Sequence, residues 1–320
     1  MKESKSAGRE IKLRNKIRIL HYVYKQGKTT KQQLAEALSM SLPTVLQNVK
    51  ELSKEGMIQI AGQMESTGGR KAAVIMPVQD VRMSVGVDIT RNHVSLVLVN
   101  LTGDIVHHRR HPFAYQRAES YYAEVGRLID AFITECDVDP DVVLGVGFAI
   151  PGIILNEGTM ISYSHVLDIR NVPCSEFSNH VRYPCHFIND ANAAGLAEVH
   201  TDGIPDTFVY LSLNNCVGGA IFTDGEMGMG DNMRAGEFGH MRLMPWGRRC
   251  YCGMDGCVDA YCNARLLADE TNGDMRLFFE RLREGDAHLA QVWDAYLDAL
   301  AIAVNNLRMA FDCPVVLGGY

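Results

Sequence analysis

Apolar residues recur at helical spacing near the start of the chain. Leu13, Ile17, Leu20, Val23 and Tyr24 predict a first helix over 11–26, with these residues as its inner stripe. Gly27 ends it, and Thr29 or Thr30 can cap a second helix over 31–38 that faces inward through Leu34, Ala35 and Leu38. After the break Ser39-Met40-Ser41, a third helix over 42–54 carries the inner stripe Val45, Val49 and Leu52, with Pro43 in its first turn. Two short runs, 57–60 and 72–76, then read as strands joined by the turn Ser66-Thr67-Gly68-Gly69-Arg70-Lys71.

The texture changes at Met83. Residues 84–90, 93–100 and 105–111 alternate as a three-stranded meander. A helix follows over 118–135, strands over 142–150 and 185–188, and a helix over 190–200. A strand pair over 207–213 and 217–223, a long helix over 287–311 and a short strand over 315–317 complete the pattern. Strands alternating with helices after a meander indicate an α/β fold. Two units are expected: a winged helix-turn-helix over 1–78 and an α/β domain over 79–320.

Charge separates the same two units. Residues 1–76 carry 14 Lys and Arg against 6 Asp and Glu, whereas the other 244 residues carry 17 against 32. A basic head on an acidic body fits a DNA-binding module on a metabolite-binding domain. The outer face of the third helix is expected to present Ser41, Thr44, Gln47, Asn48 and Lys50 to a major groove. Arg70 is expected in a minor groove and Lys71 on a phosphate. At 47% hydrophobic residues the composition excludes wholesale disorder. The charged N-terminus lacks the apolar core of a secretory signal, and the apolar run 142–155 is too short to span a membrane. The expected location is the cytoplasm.

Nine cysteines in such a chain do not form a disulfide framework. Cys136, Cys174, Cys185, Cys216, Cys262 and Cys313 are scattered and read as small core residues. Cys250, Cys252 and Cys257 cluster after His240, with nine residues between His240 and Cys250. Three thiolates and one imidazole complete a tetrahedral zinc shell with no position left for water, so the expected zinc is structural.

The segments STGGRK (66–71), NDAN (189–192), GEFGH (236–240) and CYCGMDGC (250–257) occur in that order. With them the chain resembles the ROK family of repressors, open reading frames and sugar kinases over essentially its whole length. The resemblance implies an actin-like, ribonuclease H-like two-lobed domain with a zinc loop. It also implies a sugar site at Gly152, Asn189, Asp190, Glu237, His240 and Asp259. Asp190 matches the family's catalytic base, and Asp259 stands where the family has a glutamate one methylene longer.

The kinase phosphate hairpins are altered. The family's DxGGT is replaced by Asp88-Ile89-Thr90-Arg91-Asn92, and its second glycine-rich hairpin by Leu213-Asn214-Asn215-Cys216-Val217-Gly218-Gly219. A Cβ in such a loop obstructs backbone approach to phosphate. The expected function is therefore a non-enzymatic, sugar-responsive transcriptional regulator, a repressor of carbohydrate genes. Its partners would be operator DNA, a sugar or sugar-derivative effector and a second copy in a homodimer or homotetramer, with no membrane. The alternative is a ROK sugar kinase with an appended DNA-binding head; a scaffold role is a third reading. The family continues beyond the Gly-Gly at 318–319, so a C-terminal truncation of the second lobe is also expected.

Overall fold

The computed structural model describes residues 2–63, 73–155, 158–199, 201 and 203–319. The head is built from α1 (Lys2–Gln26), α2 (Lys31–Ala37), α3 (Leu42–Lys54) and an antiparallel pair, β1 (Ile58–Gln63) and β2 (Ala73–Pro77). Its core joins Ile19, Val23, Leu34, Val45, Val49, Leu52, Ile58 and Ile75. Thr30 caps α2 in a reciprocal capping box with Gln33, and Ser41 caps α3 through the Thr44 N–H. The turn between these helices places Ser39 at φ 52.

The first helix differs from its expected inner stripe. Ile19 and Val23 are buried, whereas Leu13 and Ile17 are 59% and 57% exposed. The helix also begins at Lys2, and it is pinned to α3 by Lys12–Glu51 and Lys16–Glu55 ion pairs. Ile19 and Val23 meet the three-helix core, so periodicity chose the wrong face at Leu13 and Ile17. The wing turn with Arg70 and Lys71 lies outside the described residues.

Beyond a short connection, β3 (Met83–Ile89), β4 (His93–Asn100) and β5 (Ile105–Pro112) form the meander, followed by α4 (Glu119–Glu135) and β6 (Val143–Ile150). A small antiparallel sheet follows: β7 (Ile153–Leu155), β8 (Met160–Ser164) and β9 (Ile169–Pro173). The one-turn helix α5 (Ser175–Ser178) leads to β10 (Cys185–Asn189). The main sheet has the order β10-β6-β3-β4-β5, with β10, β6 and β3 parallel. Its inner face packs Val85, Val87, Leu96 and Leu98 against Val125, Ile129 and Ile133 of α4. Edge strand β5 is exposed almost throughout and carries His107, His108, Arg109 and Arg110. Charged side chains of this kind keep an unpaired edge from templating another strand.

The helix α6 (Asp190–Glu198) leaves the end of β10 and lies on the second lobe. That lobe holds β11 (Phe208–Leu213), β12 (Val217–Thr223) and β13 (Glu226–Gly228). After the cysteine loop come α7 (Asp259–Cys262), α8 (Arg265–Ala268), α9 (Met275–Arg283), α10 (Ala287–Phe311) and β14 (Val315–Gly319). The sheet order is β13-β12-β11-β14, with β14 parallel to β11. Val209 and Leu211 pack against Ala299, Leu300, Ala303 and Leu307 of α10. Among the described residues no helix is long and apolar enough to cross a membrane.

Candidate functional site

A wide cleft separates the two lobes. It is lined by the ends of β3 and β6, the start of α6, the β11–β12 turn and the cysteine loop. Parallel strands end here with their C-termini facing the opening, where α/β folds gather ligand-binding groups.

On the first-lobe side, Asn189 and Asp190 sit where β10 becomes α6. The Asn189 side-chain oxygen accepts the Asn192 N–H, and its amide donates to the Gly152 carbonyl at 3.1 Å. One side chain thus caps the helix and holds the Pro151-Gly152 turn in place. The Asp190 carboxylate accepts its neighbour Ala191's N–H at 2.9 Å. Burial pushes its pKa up to about 6, helped by the charges of Asp88 and Glu237 and opposed by the Ala191 N–H. Asp88, at the end of β3, is also pushed up by burial, with Arg110 opposing.

On the opposite side, Glu237 and His240 belong to a short 3-10 turn over Phe238–His240. His240 presents its two ring nitrogens to different tasks. Its Nδ1 lies 3.8 Å from Cys250 Sγ, and its Nε2 lies 3.2 Å from Tyr251 Oη and 3.9 Å from Glu237 Oε2.

The ligand atoms of His240, Cys250, Cys252 and Cys257 all lie within 4.8 Å of one another. A tetrahedral ion with bonds of about 2.3 Å to sulfur requires sulfur atoms roughly 3.8 Å apart. Cys252 and Cys257 stand 3.7 Å apart, so this pair already has the spacing of a tetrahedral site. The loop depends on its glycines. Gly253 and Gly256 have φ of 94° and 80°, and a Cβ on Gly256 would sit 1.7 Å from the Met244 carbonyl oxygen. Cys262 is fully buried and stays in the core, as expected.

Gly152, Asn189, Asp190, Glu237 and His240 all line the cleft. Asp259 is placed differently: it is 3% exposed, and its carboxylate accepts the Val217 N–H at 2.6 Å. It ties the cysteine loop to β12 from behind. Burial raises its pKa, with the Val217 N–H opposing. Asp259 is therefore not among the residues that line the cleft.

The helix-turn-helix residues also divide. Ser41, Gln47 and Lys50 are exposed and Thr44 partly so. Asn48 is not on the outer face: it is 3% exposed and donates to the Thr44 carbonyl at 2.8 Å. Leu42 and Leu46 of the same helix are exposed instead, at 48% and 44%. Position 48 follows Val45 by three residues, so the helix turns it inward with that stripe.

The two hairpins carry side chains at their tips. Arg91 reaches across to donate to the Val166 carbonyl at 2.9 Å. In the second hairpin Gly218 and Gly219 are required by packing. A Cβ on Gly218 would lie 2.8 Å from Ala191 Cβ, and one on Gly219 2.3 Å from the Phe238 ring.

Two cleft residues were not singled out from the sequence. The rings of His165 and Tyr251 stack 4.2 Å apart and 8° from parallel. Tyr251 carried a usable signal, because a residue between two metal-ligand cysteines is held in place. His165 carried none; the connection from β8 to β9 brings it there.

A winged helix-turn-helix joined to a two-lobed, actin-like domain of sugar-kinase type defines a DNA-binding module fused to a small-molecule cleft. Residues 12–59 match the winged helix-turn-helix DNA-binding family, and residues 84–320 match the ROK family. The chain belongs to the ROK family.

Among its relatives is the xylose repressor of Bacillus subtilis strain 168, 26% identical over 270 residues, covering 80% of this chain and 67% of that protein. Another is the DNA-binding transcriptional dual regulator NagC of Escherichia coli K12, 22% identical over 252 residues, covering 78% and 62%. The chain spans about two thirds of the length of these curated relatives. A crystal structure of a ROK family transcriptional regulator, a homologue of the E. coli MLC protein, superposes with a TM-score of 0.76 at 20% identity, covering 97% of this chain and 83% of that one. A ROK family glucokinase from Streptomyces griseus, solved with glucose and AMPPNP, gives 0.62 at 23% identity, covering 74% and 83%. These two structures establish the fold alone.

Proposed function

We propose that this protein is a sugar-responsive transcriptional repressor of the cytoplasm. Residues 1–78 form its operator-binding head, and 79–320 form its effector domain. The observation that carries this reading is the pairing of a winged helix-turn-helix with a polyol-type cleft. Asn189, Asp190, Glu237 and His240 converge on that cleft from both lobes. A carboxylate accepts hydroxyl protons and an imidazole N–H donates to hydroxyl oxygens, so the set matches vicinal hydroxyls. The relatives bearing repressor names support the same reading.

A zinc ion on His240, Cys250, Cys252 and Cys257 would be structural, since all four positions of a tetrahedron are taken by protein. Held on His240 Nδ1, it leaves Nε2 as the N–H that faces the cleft. Asn189 orients the Gly152 turn, and ionised Asp190 accepts effector hydroxyls.

The protein does not transfer phosphate. Phosphoryl transfer rests on positioned phosphates, and Thr90, Arg91, Asn214 and Cys216 stand in the loops where the kinases carry glycines. DNA is held by Ser41, Thr44, Gln47 and Lys50 of the third helix and by Arg70 and Lys71 of the wing, in a homodimer or homotetramer. Effector binding changes DNA affinity through coupling between the two sites.

The test is capture of genomic fragments by the full-length protein, with and without D-xylose, D-glucose and N-acetylglucosamine. Discrete fragments released by one sugar are expected. Enrichment no better than that of a wing-deleted control, or ATP-dependent phosphorylation of any of these sugars, would overturn the reading.

A further inference from the structure

The Tyr251 ring touches both walls of the cleft. Its backbone lies between Cys250 and Cys252, so it belongs to the metal loop of the second lobe. Its ring stacks on His165, which belongs to the first lobe. The His165 segment is itself anchored: Ser164 donates to the Pro151 carbonyl and accepts the Leu167 N–H. The stack therefore connects the metal loop to the same turn that Asn189 holds through Gly152.

The hydroxyl is placed as specifically as the ring. Tyr251 Oη lies 3.2 Å from His240 Nε2, which points into the cleft, and Glu237 Oε2 lies 3.9 Å from the same nitrogen. With a metal on His240 Nδ1, the neutral ring would carry its proton on Nε2 and the phenol oxygen would accept it. The phenol proton is then free for a second acceptor, and Cys216 lines the same cleft. An oxygen that accepts from the imidazole and offers a proton to a neighbour has the hydrogen-bonding pattern of a sugar hydroxyl. The outer edge of the ring is open to solvent, at 40% exposed.

We propose that Tyr251 is an internal stand-in for an effector hydroxyl. Its phenol holds the His240 Nε2 position until a hydroxyl of the effector, placed to bridge His240 and Glu237, displaces it and breaks the stack on His165. This rests on the sugar-binding reading of the cleft. It assigns the effector a chemistry, a polyol with a free hydroxyl at that position. It also makes Tyr251 the residue through which an occupied cleft is felt by the metal loop. Because both flanking residues are metal ligands, the ring leaves by rotating its side chain.

Two variants test it in the zinc-loaded full chain, with metal content measured for each. Tyr251→Ala removes the cover, so iodoacetamide labels Cys216, mapped by peptide mass spectrometry, several-fold faster than in the wild type. Tyr251→Phe keeps the stack and removes only the competing hydroxyl. It binds whichever of D-xylose, D-glucose or N-acetylglucosamine the wild type binds, about two- to tenfold more tightly, the worth of one hydrogen bond. Unchanged Cys216 labelling in the alanine variant overturns the proposal whether or not a sugar binds. Weaker sugar binding by the phenylalanine variant also overturns it, because the phenol is then a sugar contact. If no sugar binds any form while Cys216 is unmasked, the cover stands and the sugar reading falls.

Discussion

The two ends of the cleft are built by different means. At the metal-loop end, backbone geometry places the chemistry. Asn189 is a helix cap, His240 closes a 3-10 turn, and Gly256 lets the chain pass against the Met244 carbonyl. At the hairpin end, side chains occupy the space. Arg91 fills the first hairpin and bonds across to Val166, and the remaining glycines of the second serve packing against Ala191 and Phe238. Hydroxyls are recognised by side-chain donors and acceptors, whereas phosphates in such loops are recognised by bare backbone N–H groups. We propose that one end keeps what a polyol needs and that the other lacks what a nucleotide needs. In the reading proposed here, that difference separates a sensor from a kinase on one fold.

The largest expected effect comes from breaking the metal end. Cys257→Ser should remove the bound zinc and lower the thermal midpoint by more than about 5 °C, because metal-binding free energy is folding free energy for this loop. Metal analysis with thermal unfolding checks it, and full zinc occupancy in the variant would remove Cys257 from the site.

Next in size is Asp190→Asn. Sugar affinity should fall about 10- to 100-fold, the cost of losing a charge-assisted hydrogen bond, while affinity for captured operator fragments is unchanged. Calorimetry and gel shift on the same sample read both. The same residue sets a pH dependence. Its pKa is raised to about 6, so the ionised acceptor is lost as pH falls through that value. Sugar affinity should be flat above it and drop about tenfold per unit well below it. Asp190→Asn should flatten the profile.

The smallest effects sharpen the head. Lys50→Ala should weaken DNA binding and lower its salt dependence by about one ion. Asn48→Ala should cost about 1 kcal/mol of stability through the lost bond to Thr44 and leave base preference unchanged. A changed operator preference in the Asn48 variant would put its side chain back on the DNA.

The contrast between Asn48 and Asp259 explains where sequence reading stops. Asn48 was expected on a surface by residue type and Asp259 in the sugar site by its resemblance to a family position, and both are buried. Asn48 is polar but sits on the inner stripe with Val45 and Val49, so helix phase outweighed chemistry. Asp259 is one methylene shorter than the family's glutamate, and its carboxylate meets the Val217 N–H. No local pattern shows which backbone N–H lies 42 residues away in sequence and within reach in space.

What the sequence determined by itself is local and covalent in origin. It set the three helices of the head, the meander from Met83, the α/β alternation and the His240-Cys250-Cys252-Cys257 spacing, because periodicity and ligand spacing act over a few residues. Only the tertiary structure decided that Ile19 of α1 is covered and that Leu13 and Ile17 are not. It also brought Asn189 and His240 to one cleft and put His165 against Tyr251. Those outcomes depend on how separate layers pack, and packing joins residues that no short pattern links.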